Sequence, residues 1–89
     1  VTVFSIRAEA LDWVEAGDEI IALDRRSAEY VSTNASAALL WRLLASGATR
    51  GALVGELTKS FAIDEERAAG DVDAFLQQLD GAGLLARAS

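Results

Sequence analysis

Residues 64–85, DEERAAGDVDAFLQQLDGAGLL, constrain this chain most, because one run carries a start signal, a sustained helical period and a stop signal. Asp64 is a favoured N-cap residue, and Glu65 and Glu66 place negative charge in the first turn, where the helix dipole stabilises it. Ala68, Val72, Phe75, Leu76 and Leu79 recur at three-and-four spacing and gather into one apolar stripe. Glu66, Asp73, Gln77 and Asp80 fall on the opposite arc. One face of this helix must therefore be covered by the rest of the chain. Gly81 and Gly83 put its end near residues 79–82, after which Leu84 and Leu85 turn back onto the core. Gly70 interrupts the pattern at about 1 kcal/mol relative to Ala and reads as a tolerated surface glycine.

What precedes this helix is β-rich and then helical. Residues 1–6, VTVFSI, have strand composition, and residues 1–10 read as either an extra strand or a flexible arm. Residues 11–15, LDWVE, alternate Leu11, Trp13 and Glu15 against Asp12 and Val14, and Ala16-Gly17-Asp18 supplies a turn. The return arm, residues 19–24, is strongly apolar at Ile20, Ile21 and Leu23, as befits a central strand. A short polar loop, 25–28, leads to a third strand over 29–33, so an antiparallel meander with that strand at its edge is expected.

Asn34 is a natural N-cap for ASAALLWRLLASG, in which Ala37, Leu40, Trp41 and Leu44 share a stripe and Gly47 ends the helix. Thr49 caps a weaker helix, residues 50–61, whose Leu53, Val54, Leu57 and Phe61 lie together despite Gly51 and Gly55. Strands first and helices second argue for α+β, with the helices on one face of a small sheet. At 89 residues the chain is expected to be a single domain with one core.

Candidate chemistry is sparse. With no Cys and no His, the side chains used for thiol chemistry, structural zinc and proton transfer near neutral pH are missing. Ser27, Ser32, Ser36 and Thr49 have no His to activate them, and neither G-x-S-x-G nor a Gly-rich phosphate loop occurs. Asp71 and Asp73 are too close in sequence to share a helical face, so no carboxylate dyad is formed. Asp73 and Asp80 read as solvated helix surface, Arg25-Arg26 as a solvated hairpin tip, and Trp13 and Trp41 as packing residues. No enzymatic activity, no metal and no cofactor are expected.

A net charge of -6 repels phosphate backbones and anionic lipid, which disfavours nucleic acid and membrane surfaces and leaves a peptide or protein as the compatible partner. No apolar run approaches a membrane span, and a cytoplasmic address is expected. Helices joined by short turns beside a hairpin also describe a winged helix, a common DNA-binding shape. Residues 50–61 would then be the recognition helix, yet they carry only Arg50 and Lys59. The alternatives to peptide binding are thus a winged-helix DNA-binding module, or a structural dimerisation module that uses the strand edge.

In order, the hairpin ending in Leu23-Asp24, the tyrosine strand running into Asn34, the Trp41 helix, and DVDAFLQQL before a glycine and Leu84-Leu85 resemble the PqqD-like family, also called RiPP recognition elements or peptide-modification chaperones. The resemblance runs from about Leu11 onward. One departure is Thr33, where the family carries a larger apolar residue before the asparagine, and it is expected to loosen packing at that junction. The resemblance implies a small three-stranded antiparallel meander followed by three helices in a winged helix-turn-helix-like arrangement. It further implies a non-catalytic protein that binds the leader segment of a ribosomally synthesised precursor peptide in natural-product biosynthesis. The leader would be presented to a separate maturation enzyme, such as a radical SAM enzyme, a leader peptidase or a cyclase.

Carried onto this chain, the leader adds as a strand along Glu29, Tyr30, Val31, Ser32 and Thr33, with Tyr30, Asp71, Ala74, Phe75 and Gln78 as candidate lining residues. Phe75 reads alternatively as wholly core, and Tyr30 and Gln78 read equally as plain surface. The residues themselves point the same way, since an edge strand recruits another strand unless it is covered. The implied state is a monomer, or a weak homodimer through that edge.

Overall fold

The computed structural model describes residues 1–7, 9 and 11–88. Gly17, at φ 64°, permits the tight turn joining β2 (Leu11–Ala16) to β3 (Glu19–Asp24), which pair antiparallel from Ala16↔Glu19 to Leu11↔Asp24. The next turn is held by Asp24, whose carboxylate accepts the Arg26 N–H at 3.0 Å and whose carbonyl accepts the Ala28 N–H at 2.8 Å. It returns the chain as β4 (Glu29–Ser32), paired with β3 from Asp24↔Glu29 to Ile21↔Ser32. The sheet order is β2-β3-β4, the expected meander, with β4 at an edge.

Alternation along this sheet separates two faces. Leu11, Ile20 and Ala22 are buried on the inner face, with Trp13 and Val31 half-buried beside them. Asp12, Val14, Ile21, Leu23 and Tyr30 lie on the outer face.

A second sheet was not anticipated. Residues Val3–Ile6 form β1, which pairs with β5 (Ala48–Thr49) on one side and with β6 (Leu85–Ala88) on the other, all antiparallel. The extra-strand reading of the N-terminal segment thus describes residues 3–6, while Ala8 and Ala10 lie outside the described residues.

Each helix begins where its cap was expected. The Asn34 side chain accepts the Ala37 N–H at 2.9 Å at the start of α1 (Ala35–Ser46), Thr49 that of Ala52 at 3.2 Å before α2 (Arg50–Phe61), and Asp64 that of Arg67 at 2.7 Å before α3 (Glu65–Gly81). The end of α3 is a Schellman motif. Gly83 takes φ 74°, its N–H donates to the Asp80 carbonyl, and the Leu84 N–H donates to that of Leu79. The motif aims Leu84 and Leu85 into the core, as the sequence pattern required.

The core joins Trp41 and Leu44 of α1, Leu53 and Leu57 of α2, Val72, Leu76 and Leu79 of α3, and Ile20 of the sheet. Each such fully buried side chain contributes about 1.5–3 kcal/mol. Phe61 departs from its expected stripe, because it lies at the end of α2 and is exposed. Gly70 is a surface glycine with open space where a Cβ would stand.

Candidate functional site

The meander leaves β4 with backbone groups bonded on one side only. Just beyond it the Thr33 N–H donates to the Ile20 carbonyl at 3.0 Å, so the alternation of an antiparallel ladder turns the N–H and C=O of Tyr30 and Ser32 away from β3. Thr33 itself is buried. Its hydroxyl accepts the Ile20 N–H at 3.0 Å, which corrects the expected loosening: a polar pair, rather than an apolar contact, pins the junction of strand and helix.

Beside this edge lies a cavity of about 240 Å³, formed where the end of β4 meets α1 and α3. Val31, Ser32 and Thr33 line it from the strand, Ala37 and Trp41 from α1, and Phe75 and Gln78 from α3. A second depression of about 360 Å³ shares Asn34, Ala37, Phe75 and Gln78 with it and runs on past the start of α1 to Arg67, Asp71 and Ala74. On α3, residues 67, 71, 74, 75 and 78 occupy one flank of the buried stripe, at successive three-and-four steps.

Of the nine residues singled out from the sequence, Val31, Ser32, Thr33, Phe75 and Gln78 meet at the cavity, and Asp71 and Ala74 lie on its continuation. Glu29 and Tyr30 line neither. The Tyr30 side chain is 74% exposed on the opposite face of the sheet, the plain-surface alternative, and Val31 is the neighbouring strand residue that borders the cavity. Asn34, Ala37 and Trp41 were not singled out for the groove. Their helical spacing places them on one side of α1, a signal that the core reading of Trp41 absorbed. The Trp41 ring meets that of Trp13 edge-on, with centroids 6.1 Å apart, and its buried Nε1 has no hydrogen-bond partner among the described residues.

The remaining charges hold the frame rather than the groove. Arg26 is not a free hairpin tip. Its guanidinium donates to the Asp24 carboxylate at 3.3 Å and to the Ala82 carbonyl at 3.1 Å, tying the β3–β4 turn to the end of α3. Hydrogen bonds from that side chain hold the Asp24 carboxyl below its ordinary pKa. Arg25 binds the Asp12 carboxylate and the Glu9 carbonyl. On the other flank of α3, Arg50 grips Asp73 with two bonds of 2.7 and 2.9 Å, and Arg87 meets Asp80 at 3.1 Å. Both carboxyls are lowered by their arginine hydrogen bonds. No group of acidic side chains among the described residues is clustered to hold a metal ion, and no described helix is long and apolar enough to cross a membrane.

An unpaired strand edge beside an apolar slot walled by a helix is geometry for holding an extended peptide. The family described as Coenzyme PQQ synthesis protein D (PqqD) matches residues 19–85, well over half of the chain. The chain belongs to the PqqD family. Two solved structures share its fold. This PqqD domain is similar to TbiB1 in complex with the TbiA(beta) leader peptide, with TM-score 0.83 and 23% identity, over 91% of this chain and 93% of that one. It is similar also to a lasso peptide synthetase B1 complexed with the leader peptide, with TM-score 0.81 and 25% identity, over 93% and 96% of the two chains. No curated protein matches the chain. In the PqqD domain the three helices and the β2–β3 hairpin take a winged-helix-like α+β arrangement.

Proposed function

We propose that residues 1–89 act as one PqqD-family domain that binds the leader segment of a ribosomally made precursor peptide and presents it to a separate maturation enzyme. The observation that carries this reading is the open edge of β4 lying directly beside the cavity under Phe75 and Gln78. Both similar structures are complexes with leader peptides, which supports it. The leader adds as a strand along Glu29–Ser32, pairing with the outward N–H and C=O of Tyr30 and Ser32, while alternate side chains enter the slot.

Backbone pairing is largely blind to sequence, so selection falls to those side chains. Each contributes about 1.5–3 kcal/mol on full burial, and about two or three suffice for roughly micromolar binding after association is offset. The domain performs no chemistry itself and works in the cytoplasm, where the precursor is made. The non-catalytic reading is consistent with a sequence that holds neither His nor Cys, the commonest base and the most reactive nucleophile.

Hydrogen exchange with a synthetic leader of the cognate precursor tests the reading. The outward amides of Tyr30 and Ser32, and amides of α3, gain protection on binding. Protection confined to α2, with β4 exchanging freely, would overturn the strand-addition mechanism.

A further inference from the structure

The outer face of the β2-β3-β4 sheet is more apolar than a solvated face requires. Antiparallel sheets with one side in water ordinarily alternate polar residues outward. Here the outward positions bring Val14 opposite Ile21 and Leu23 opposite Tyr30, across all three strands. Val14 is 62% exposed and Ile21 40% exposed, and with Asp12 these side chains border an open depression of about 470 Å³. Scattered exposed apolar side chains are ordinary, whereas a contiguous set spanning a sheet marks a contact surface.

We propose that this face docks the maturation enzyme that receives the leader complex, through an apolar patch on that enzyme flanked by Lys or Arg. The identity of the partner rests on the leader-binding reading. The sign of its charge rests on the patch itself. Asp18 and Glu19 stand at the turn that ends the face and have no ion-pair partner among the described residues, whereas Arg25 at the far end is already engaged by Asp12. The unpaired charge at this rim is therefore acidic, and complementary charge on a partner both steers association and fixes its register. A second copy of the chain fits poorly, because it would set acidic rims together on a molecule of net charge -6. The leader is a poor occupant too. Its proposed slot lies under Val31 on the inner face, so the two faces of one sheet can be filled at the same time.

The probe is the purified maturation enzyme that modifies the cognate precursor, titrated against the domain with and without leader. Ile21→Lys, and independently Val14→Lys at a more exposed site, weaken enzyme binding by about tenfold or more and leave leader affinity within about twofold. Glu19→Lys weakens the enzyme complex at low salt and flattens its salt dependence. Circular dichroism verifies that each variant is folded. Unchanged enzyme affinity in both lysine variants overturns the proposal, as does their loss of leader binding. Sedimentation showing a wild-type dimer that Ile21→Lys disperses overturns it in favour of a second copy. A wild-type domain that ignores the leader yet binds the enzyme through Ile21 sinks the groove reading and sustains this one.

Discussion

The hydroxyl of Thr33 receives the backbone N–H of Ile20 at 3.0 Å, while the Thr33 N–H returns a bond of the same length to the Ile20 carbonyl. One side chain thus extends the β3–β4 ladder past its last paired residue, at the point where the edge strand becomes α1. Thr33→Val keeps the shape and leaves a buried N–H unsatisfied, so it should lower stability by about 1–3 kcal/mol in urea unfolding. Thr33→Ser retains the acceptor and should lose clearly less. Equal losses for both variants would mean that the methyl group, not the hydroxyl, holds the junction.

Gly70 offers a gain. It lies inside α3, and nothing stands within 4 Å of the Cβ it lacks. Gly70→Ala should raise stability by about 0.5–1 kcal/mol through helix propensity and a less flexible unfolded chain. Thermal or urea unfolding decides it, and a destabilised variant would contradict the open environment at this position.

The pH dependence follows from three carboxyls. Asp24, Asp73 and Asp80 each have a folded pKa below the ordinary value because arginine side chains hydrogen-bond them. A lowered folded pKa means that the unfolded chain binds the proton first. Their contribution is therefore complete above the unfolded value of about 3.9 and is lost as pH falls through the folded ones. With no His in the chain, stability should be nearly level from about pH 6 to 8 and drop below about pH 4. Melting temperatures between pH 2 and 8 measure this, and Asp24→Asn should flatten part of the acid decline.

Substitutions on the groove flank of α3 should separate binding from folding. Asp71 and Gln78 are exposed, beside the buried stripe of Val72, Leu76 and Leu79 and outside it. Asp71→Lys and Gln78→Trp should each weaken leader binding by ~1 kcal/mol or more with little change in melting temperature. Full affinity in both variants, read by fluorescence anisotropy, would place the leader elsewhere. Phe75→Ala confounds the two effects, because Phe75 packs against the core as well as lining the slot.

The helices were legible because their signals are local. Asn34, Thr49 and Asp64 cap the segments they precede, and the apolar periods behind them survive in the buried faces. The second sheet was not, since Ala48–Thr49 and Leu85–Ala88 become strands only through pairing with β1, which lies far away in sequence. The facing of Tyr30 stayed open between groove and plain surface for a related reason. Facing in β4 follows from its register with β3, and the run EIIALD is apolar at consecutive positions, so its parity cannot be read until Asp24 is seen opposite Glu29. Arg26 resembled a solvated tip because the carbonyl it reaches, that of Ala82, is 56 residues away.

β1 and β6 run side by side in opposite directions, with Val3 opposite Ala88, so the first and last strands of the described chain are immediate neighbours. Neighbouring strands lie about 5 Å apart. A host protein could accept the whole unit within one surface loop, its two junctions no farther apart than the ends of a hairpin. The groove beside β4, built from other strands and from α1 and α3, would travel intact with such a graft, ready to tether a substrate next to whatever catalytic centre the host supplies.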